Sequence, residues 1–264
     1  MNETAVLVNI DDSGRATLTM NRPELHNAFN EALVAGLTLA LRRLDADPAV
    51  RLVILAANGK SFSAGADLND MRRMSDNTRE QNLADATGIA ELMRTLNTIS
   101  KPTIALVQGA AYGGGVGLTS CCDIAIATAR ATFCVSEVKL GLIPAVISPY
   151  VLAAIGSRAA RRYFQTAEVI SAVEAHRIGL VHEIVSDEQE LAAVADRVAA
   201  QLLKNGPSAM AAAKKLITTV SGRVVDDILV AETSALMADR RASAECREGL
   251  SAFLEKRSPA WMKG

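Results

Sequence analysis

Aromatic residues are scarce in this sequence: five Phe, three Tyr and one Trp make up 3% of 264 residues. The core must therefore be aliphatic, drawn from the 50% of residues that are hydrophobic. Net charge is almost absent, with 28 basic against 29 acidic side chains. That balance gives no support to a broad nucleic-acid surface, which would need concentrated positive charge. No uncharged apolar run reaches the roughly 18–20 residues of a membrane span. Met1-Asn2-Glu3-Thr4-Ala5 has no basic segment followed by an apolar one, so no secretory leader is expected. Cysteine is limited to Cys121, Cys122, Cys134 and Cys246, with no CxxC pair, which reads as reduced thiols in a cytoplasmic protein. His26, His176 and His182 lack zinc-type spacing, and no metal is expected.

What is present is an alternation of short apolar runs and longer helical patterns. Val6–Ile10 and Ala16–Met20 read as strands around a turn at Asp11-Asp12-Ser13-Gly14. Asn30 is placed to cap a helix reaching about Asp45, and Val50–Leu55 reads as a buried strand. A helix is expected from about Arg79 to Ile99, then strands at Ile104–Val107 and Asp123–Ala127. Ser136–Tyr150 is expected to be irregular, and Leu180–Val185 to be a strand. Strands alternating with helices imply an α/β core. After Gly206-Pro207 nearly everything is helical. Val225, Ile228 and Leu229, then Leu250, Phe253 and Leu254, form i, i+3, i+4 stripes that predict packing on a neighbouring subunit.

One stretch organises the rest: Ile104-Ala105-Leu106-Val107-Gln108-Gly109-Ala110-Ala111-Tyr112-Gly113-Gly114-Gly115-Val116-Gly117-Leu118. A strand runs into three glycines and then a helix, a combination that lets backbone approach a ligand and aims free N–H groups at it. Taken alone, the same stretch reads equally as a flexible turn. Phosphate motifs fail: Leu118 and Ser120 stand where G-x-G-x-x-G needs its last glycine, and Gly115 stands where Walker A needs lysine. Gly59-Lys60-Ser61-Phe62-Ser63 is no nucleophile elbow, since it ends in Ser. What remains is a pair of small-residue loops, Ala64-Gly65-Ala66-Asp67 and Gly113-Gly114-Gly115, each following a buried strand. If those strands are neighbours, one N–H from each can meet at a single oxygen and stabilise the enolate of a thioester. Glu137, in Cys134-Val135-Ser136-Glu137-Val138, is the candidate acid or base; outside this context it would be a surface residue.

In order along the chain, Asn21-Arg22-Pro23 with Asn27-Ala28, Phe62-Ser63-Ala64-Gly65-Ala66-Asp67-Leu68, Gly113-Gly114-Gly115 with Cys122-Asp123-Ile124, Ser136–Pro144 and Phe253-Leu254-Glu255-Lys256-Arg257 resemble the crotonase family of enoyl-CoA hydratases and isomerases. The resemblance covers nearly the whole chain. It implies a spiral of ββα units over 1–205 and a helical C-terminal trimerisation domain over 206–264, assembled as a homotrimer or a hexamer. It implies an acyl-CoA thioester substrate, so that coenzyme A is part of the substrate and no separate cofactor is needed. By position, Ala66 and Gly114 supply the oxyanion N–H groups. Leu25, Ala28, Ala64, Asp67 and Leu68 contact coenzyme A, and Phe253 and Lys256 border its site.

The family's hydratases use two glutamates, and here Gly117 stands in place of the first while Glu137 keeps the second. Three readings follow: a hydratase working with one carboxylate, a Δ3,Δ2-enoyl-CoA isomerase using Glu137 as its only base, and a CoA-thioester-binding protein with a degraded site. The run Ser136–Tyr150 most resembles bacterial hydratases of 3-methylglutaconyl-CoA and related branched glutaconyl-CoAs. Their substrates carry an extra carboxylate that Arg72 or Arg73 could meet. This places the expected activity in fatty-acid or branched-chain acid breakdown.

Overall fold

The computed structural model describes residues 4–74 and 76–262, with the backbone alone at Leu68, Asn69 and Met74. Its strands are Val6–Ile10 (β1), Arg15–Met20 (β2), Leu52–Ala57 (β3), Thr103–Val107 (β4), Ala111–Tyr112 (β5), Ile124–Thr128 (β6), Thr132–Cys134 (β7), Ile170–Ser171 (β8) and Glu183–Val185 (β9). Its helices are Glu31–Ala46 (α1), Leu68–Met74 (α2), Arg79–Thr98 (α3), Gly114–Cys121 (α4), Ser148–Thr166 (α5), Ala172–Arg177 (α6), Glu188–Leu203 (α7), Pro207–Val220 (α8), Asp227–Ala242 (α9) and Ala244–Leu254 (α10). Among the described residues no helix is long and apolar enough to cross a membrane.

The larger sheet has the order β1-β2-β3-β4-β6-β9; β1 and β2 are antiparallel and every later pairing is parallel. Because side chains alternate across a strand, β3 feeds two cores at once. Val53 and Leu55 pack with Leu33, Leu37 and Leu41 of α1 and Leu92 and Leu96 of α3. Leu52 and Ile54 join Ile104, Ile126 and, from α7, Leu191, Ala195 and Ala199. This two-sided burial is what a parallel sheet requires, and it explains why these strands are continuous apolar runs. α1 shows its leucines at helical spacing, and its first turn is capped by Asn30, whose Oδ1 accepts the Leu33 N–H at 2.9 Å. A smaller sheet, β5-β7-β8, sits beyond the ends of β4 and β6.

The fold is the expected α/β class, with helices closing the chain. Two local expectations need correction. Ser136–Tyr150 is not wholly irregular: a 3-10 turn covers Glu137–Leu140 and α5 begins at Ser148. Pro149 falls in the first turn of α5, where the N–H it lacks would have no partner anyway. The strand expected over Leu180–Val185 shrinks to β9, because His182 Nδ1 accepts the Ala125 N–H (3.0 Å) that a longer ladder would have used. The C-terminal stripes, expected to face a neighbouring subunit, are largely uncovered within the single chain: Val225 is 80%, Ile228 71%, Phe253 80% and Leu254 78% exposed, while Leu229 of the same stripes is buried.

The loops after β3 and β4 leave the sheet side by side, since the two strands are neighbours in parallel register (Val53↔Thr103, Ile54↔Ile104, Leu55↔Ala105). Gly109 marks how closely they approach, because a Cβ there would overlap the Lys60 carbonyl oxygen. Gly109→Ala should therefore force the loops apart, costing about 1–3 kcal/mol. A melting temperature lowered by roughly 3–10 °C in a thermal scan is the expected reading.

Candidate active site

Backbone hydrogen bonds join the two loops. Ser63 N–H donates to Ala110 O (3.1 Å) and Tyr112 N–H donates to Ser63 O (2.8 Å), a one-residue parallel bridge between Ser63 and Ala111. The buried side chain of Gln108 reinforces it, its Nε2 donating to the carbonyls of Ala57, Gly59 and Ser61 at 3.0 Å each. Asn27 holds the same loop from the other side, donating to Asn58 O (2.9 Å) and Ser61 O (3.0 Å). Gln108 carries no recognisable motif in the sequence. A polar amide ending an apolar run, directly before Gly109, is the signal the sequence offers.

A second bridge orients Ala66. Phe29 N–H donates to Gly65 O (2.6 Å) and Asp67 N–H donates to Phe29 O (2.9 Å), so Ala66 turns its own N–H the other way. Gly114 is the first residue of α4, whose first-turn N–H groups have no partner within the helix. Neither the Ala66 N–H nor the Gly114 N–H finds an acceptor among the described residues. The residues just before these two donors touch: a Cβ on Gly65 would lie 3.2 Å from Tyr112 O and 3.9 Å from Gly113 Cα. Gly65 (φ +89°) and Gly113 (φ +49°) both take left-handed backbone, which a side chain would strain.

Glu137 reaches the same place through the smaller sheet. β7 pairs with β5 (Ala111↔Phe133, Tyr112↔Cys134), and Gly113 N–H donates to Cys134 O (2.9 Å), which delivers the 3-10 turn to the glycine triplet. The Glu137 Oε1 lies 3.4 Å from where a Gly113 Cβ would be. The Glu137 Oε2 is buried and has no hydrogen-bond partner among the described residues. Burial raises the pKa of this carboxyl above its ordinary value of 4.5, against a smaller opposing effect from its own backbone N–H. Two free N–H groups and an unpartnered acid thus line one place, suited to holding an oxyanion and moving a proton beside it.

Gly117 lies one turn beyond Gly114, fully buried, with Ile147 and Met93 against it. Leu25 and Ala64 are exposed beside the loops, and Ala28 is buried. Asp67 is buried with its carboxylate 3.1 Å from the Arg22 Nη2, tying the loop to the Asn21-Arg22-Pro23 turn. Leu68 opens α2, and its side chain lies outside the described residues. Phe253 is exposed at the end of α10, and no hydrogen bond or ion pair among the described residues links Phe253 or Lys256 to the loops.

A cavity of about 480 Å³ begins at Ala66 and Phe29 and runs between α1 and α3 past Val34, Leu39, Gly88 and Ile89. At its rim Arg73 bonds Asp70 (2.9 Å) and Arg42 bonds Glu91. Among the described residues no cluster of His, Cys, Asp or Glu could hold a metal ion. Cys121, Cys122 and Cys134 are buried free thiols, and burial pushes Cys122 up to about 12, so it stays protonated and unreactive.

Residues 11–264 match the family model described as "Enoyl-CoA hydratase/isomerase". The chain is 36% identical over 244 residues to a crotonyl-CoA hydratase of Syntrophomonas wolfei, covering 92% of each chain. It is 34% identical over 261 residues to a 1,2-epoxyphenylacetyl-CoA isomerase of Escherichia coli, covering 94% of this chain and 95% of that one. Among solved structures, an enoyl-CoA hydratase from Shewanella pealeana superposes with a TM-score of 0.94 at 47% identity, over 97% of this chain and 96% of that one.

The buried carboxyl has a consequence for stability. Burial penalises the ionised form of Glu137 only in the folded state. Its contribution to stability is therefore fully present below the unfolded pKa near 4.5 and is lost as pH rises through the raised folded value. Glu137→Gln removes that loss. In thermal scans at a series of pH values, the variant should gain on the wild type as pH rises from about 4 to 8; a gain that grows toward acid would contradict the burial.

Proposed function

Because this chain belongs to the enoyl-CoA hydratase/isomerase family, we propose that it adds water to a 2-enoyl-CoA thioester, with Ala66 and Gly114 holding the thioester oxygen and Glu137 as its single acid–base group. The observation that carries this reading is the pair of acceptorless N–H groups beside the unpartnered carboxylate oxygen of Glu137. The ionised Glu137 takes a proton from water as the water oxygen bonds to carbon 3. The carbon–carbon π pair moves toward carbon 1, and the thioester oxygen becomes an enolate held by the two N–H groups. Protonated Glu137 then gives its proton to carbon 2, the thioester re-forms, and the carboxylate is restored. Two fixed N–H donors supply the main stabilisation, since losing one typically costs about 10²–10³ in rate.

The acyl group is the finer part of the proposal. The likeness of Ser136–Tyr150 to branched glutaconyl-CoA hydratases favours a substrate with a second carboxylate. Arg73, on the rim of the cavity that begins at Ala66, is the candidate partner, and such a substrate would displace Asp70 from it. Isomerisation is the second reading. It is favoured by the apolar surroundings of Gly117, since moving one proton from carbon 2 to carbon 4 needs only Glu137.

Assembly belongs to the same proposal. Residues 206–264 act as the oligomerising part and 1–205 as the catalytic part. The exposed Val224, Val225, Ile228, Phe253 and Leu254 are the surface that another copy would cover.

Crotonyl-CoA, 3-methylglutaconyl-CoA and a 3-enoyl-CoA should be assayed with wild type and Glu137→Gln. Water addition is expected, reduced about 10²–10⁴-fold in the variant. Turnover of the 3-enoyl substrate alone would transfer the conclusion to isomerisation. Full activity of the variant would remove Glu137 from the mechanism, and saturable binding without turnover would leave a binding protein. Light scattering should give a mass three or six times that of the 27.9 kDa chain; a monomer would reject the assembly.

A further inference from the structure

Three elements meet at Gly117. It lies on α4, Met93 comes from α3, and Ile147 immediately precedes α5. A Cβ built on Gly117 would overlap the Ile147 Cγ2 and stand 3.1 Å from the Ile147 Cβ and 3.0 Å from the Met93 Cε. Ile147 is 1% exposed and Met93 0%, so neither can swing into solvent. The backbone of Ile147 is fixed as well, its carbonyl accepting the Val151 N–H at 3.0 Å. Met93 is the more yielding neighbour, because only its terminal methyl is close. The three atoms nearest a Cβ at Gly117 are therefore all hydrocarbon, and a longer acidic side chain would have to force its way past them.

We propose that Gly117 and Ile147 form a complementary pair in which the isoleucine side chain fills the volume a second acid–base side chain would need, committing the site to proton transfer through Glu137 alone. Ile147 is then a specificity-determining residue that acts by filling space, without touching the reacting atoms. The proposal rests on the single-carboxylate reading given above. It also implies that the absence of a second acid cannot be reversed at position 117 alone.

Two measurements test it. The first is a stability cycle that needs no substrate. Gly117→Ala should lower the melting temperature by roughly 3–10 °C in the wild type. In an Ile147→Gly background, where the methyl enters vacated space, it should lower it little or raise it. An equal penalty in both backgrounds overturns the pairing.

The second is hydration of crotonyl-CoA. Gly117→Glu alone should gain nothing. Gly117→Glu combined with Ile147→Gly should exceed Ile147→Gly alone by about 10²-fold, the lower end for one acid–base group, and should keep part of that gain when Glu137→Gln is added. A gain in Gly117→Glu alone, or none in a folded double variant, overturns the proposal. If the double variant does not fold, the stability cycle decides. Failure of the single-carboxylate reading is distinguishable, because it shows as full activity of Glu137→Gln in the otherwise wild-type enzyme, whatever the cycle reports.

Discussion

The site depends on one interaction, the stitching of the loop after β3 to the loop after β4. The Gln108 amide and the Ser63–Ala111 bridge hold these backbones at contact distance. Only then do the N–H groups of Ala66 and Gly114 line the same space. A backbone donor cannot be moved by a rotamer change, so its aim is as good as the loop that carries it. Buried hydrogen bonds from a neutral amide suit this task, because breaking them leaves polar groups stranded away from water at about 1–3 kcal/mol each. The parallel register of β3 and β4 supplies the coarse alignment and the Gln108 amide the fine one.

Against this rigid frame stands a carboxyl left unsatisfied. The Glu137 Oε2 has no partner among the described residues and the pKa of this carboxyl is raised by burial, a combination that weakens the fold and is what the proposed acid–base role would use. Elsewhere in the chain, polar links tie the C-terminal segment to the sheet. Thr103 N–H and Oγ1 both donate to Asp123, which also accepts from Lys214 of α8 at 2.8 Å. Arg51 donates to the carbonyls of Leu203, Asn205 and Trp261. These links fasten the C-terminal helices to the sheet while leaving their outer apolar faces open.

The sequence by itself determined a good deal. Apolar runs of β spacing, leucines at helical spacing and a capping Asn30 specified most of the elements, because each of those signals is local. The glycine triplet, the Ala64–Asp67 loop and Glu137 were legible because their chemistry is written in residue type: small residues for close approach, one acid among apolar neighbours. The family was legible because the motifs keep their order along the whole chain.

Only the tertiary structure decided the rest. That the two loops touch follows from strand order. That Glu137 reaches the triplet follows from the two-residue pairing of β5 with β7, which is too short to leave a pattern in sequence. The helix beginning at Ser148 was hidden because Pro149 and Pro144 read as breakers, and position within the helix decides what a proline does. Gly117 illustrates the division best. Its identity, set beside the family resemblance, raises the question of a missing acid, but only the fold brings Met93 and Ile147, 24 residues before it and 30 after it in the chain, against that position.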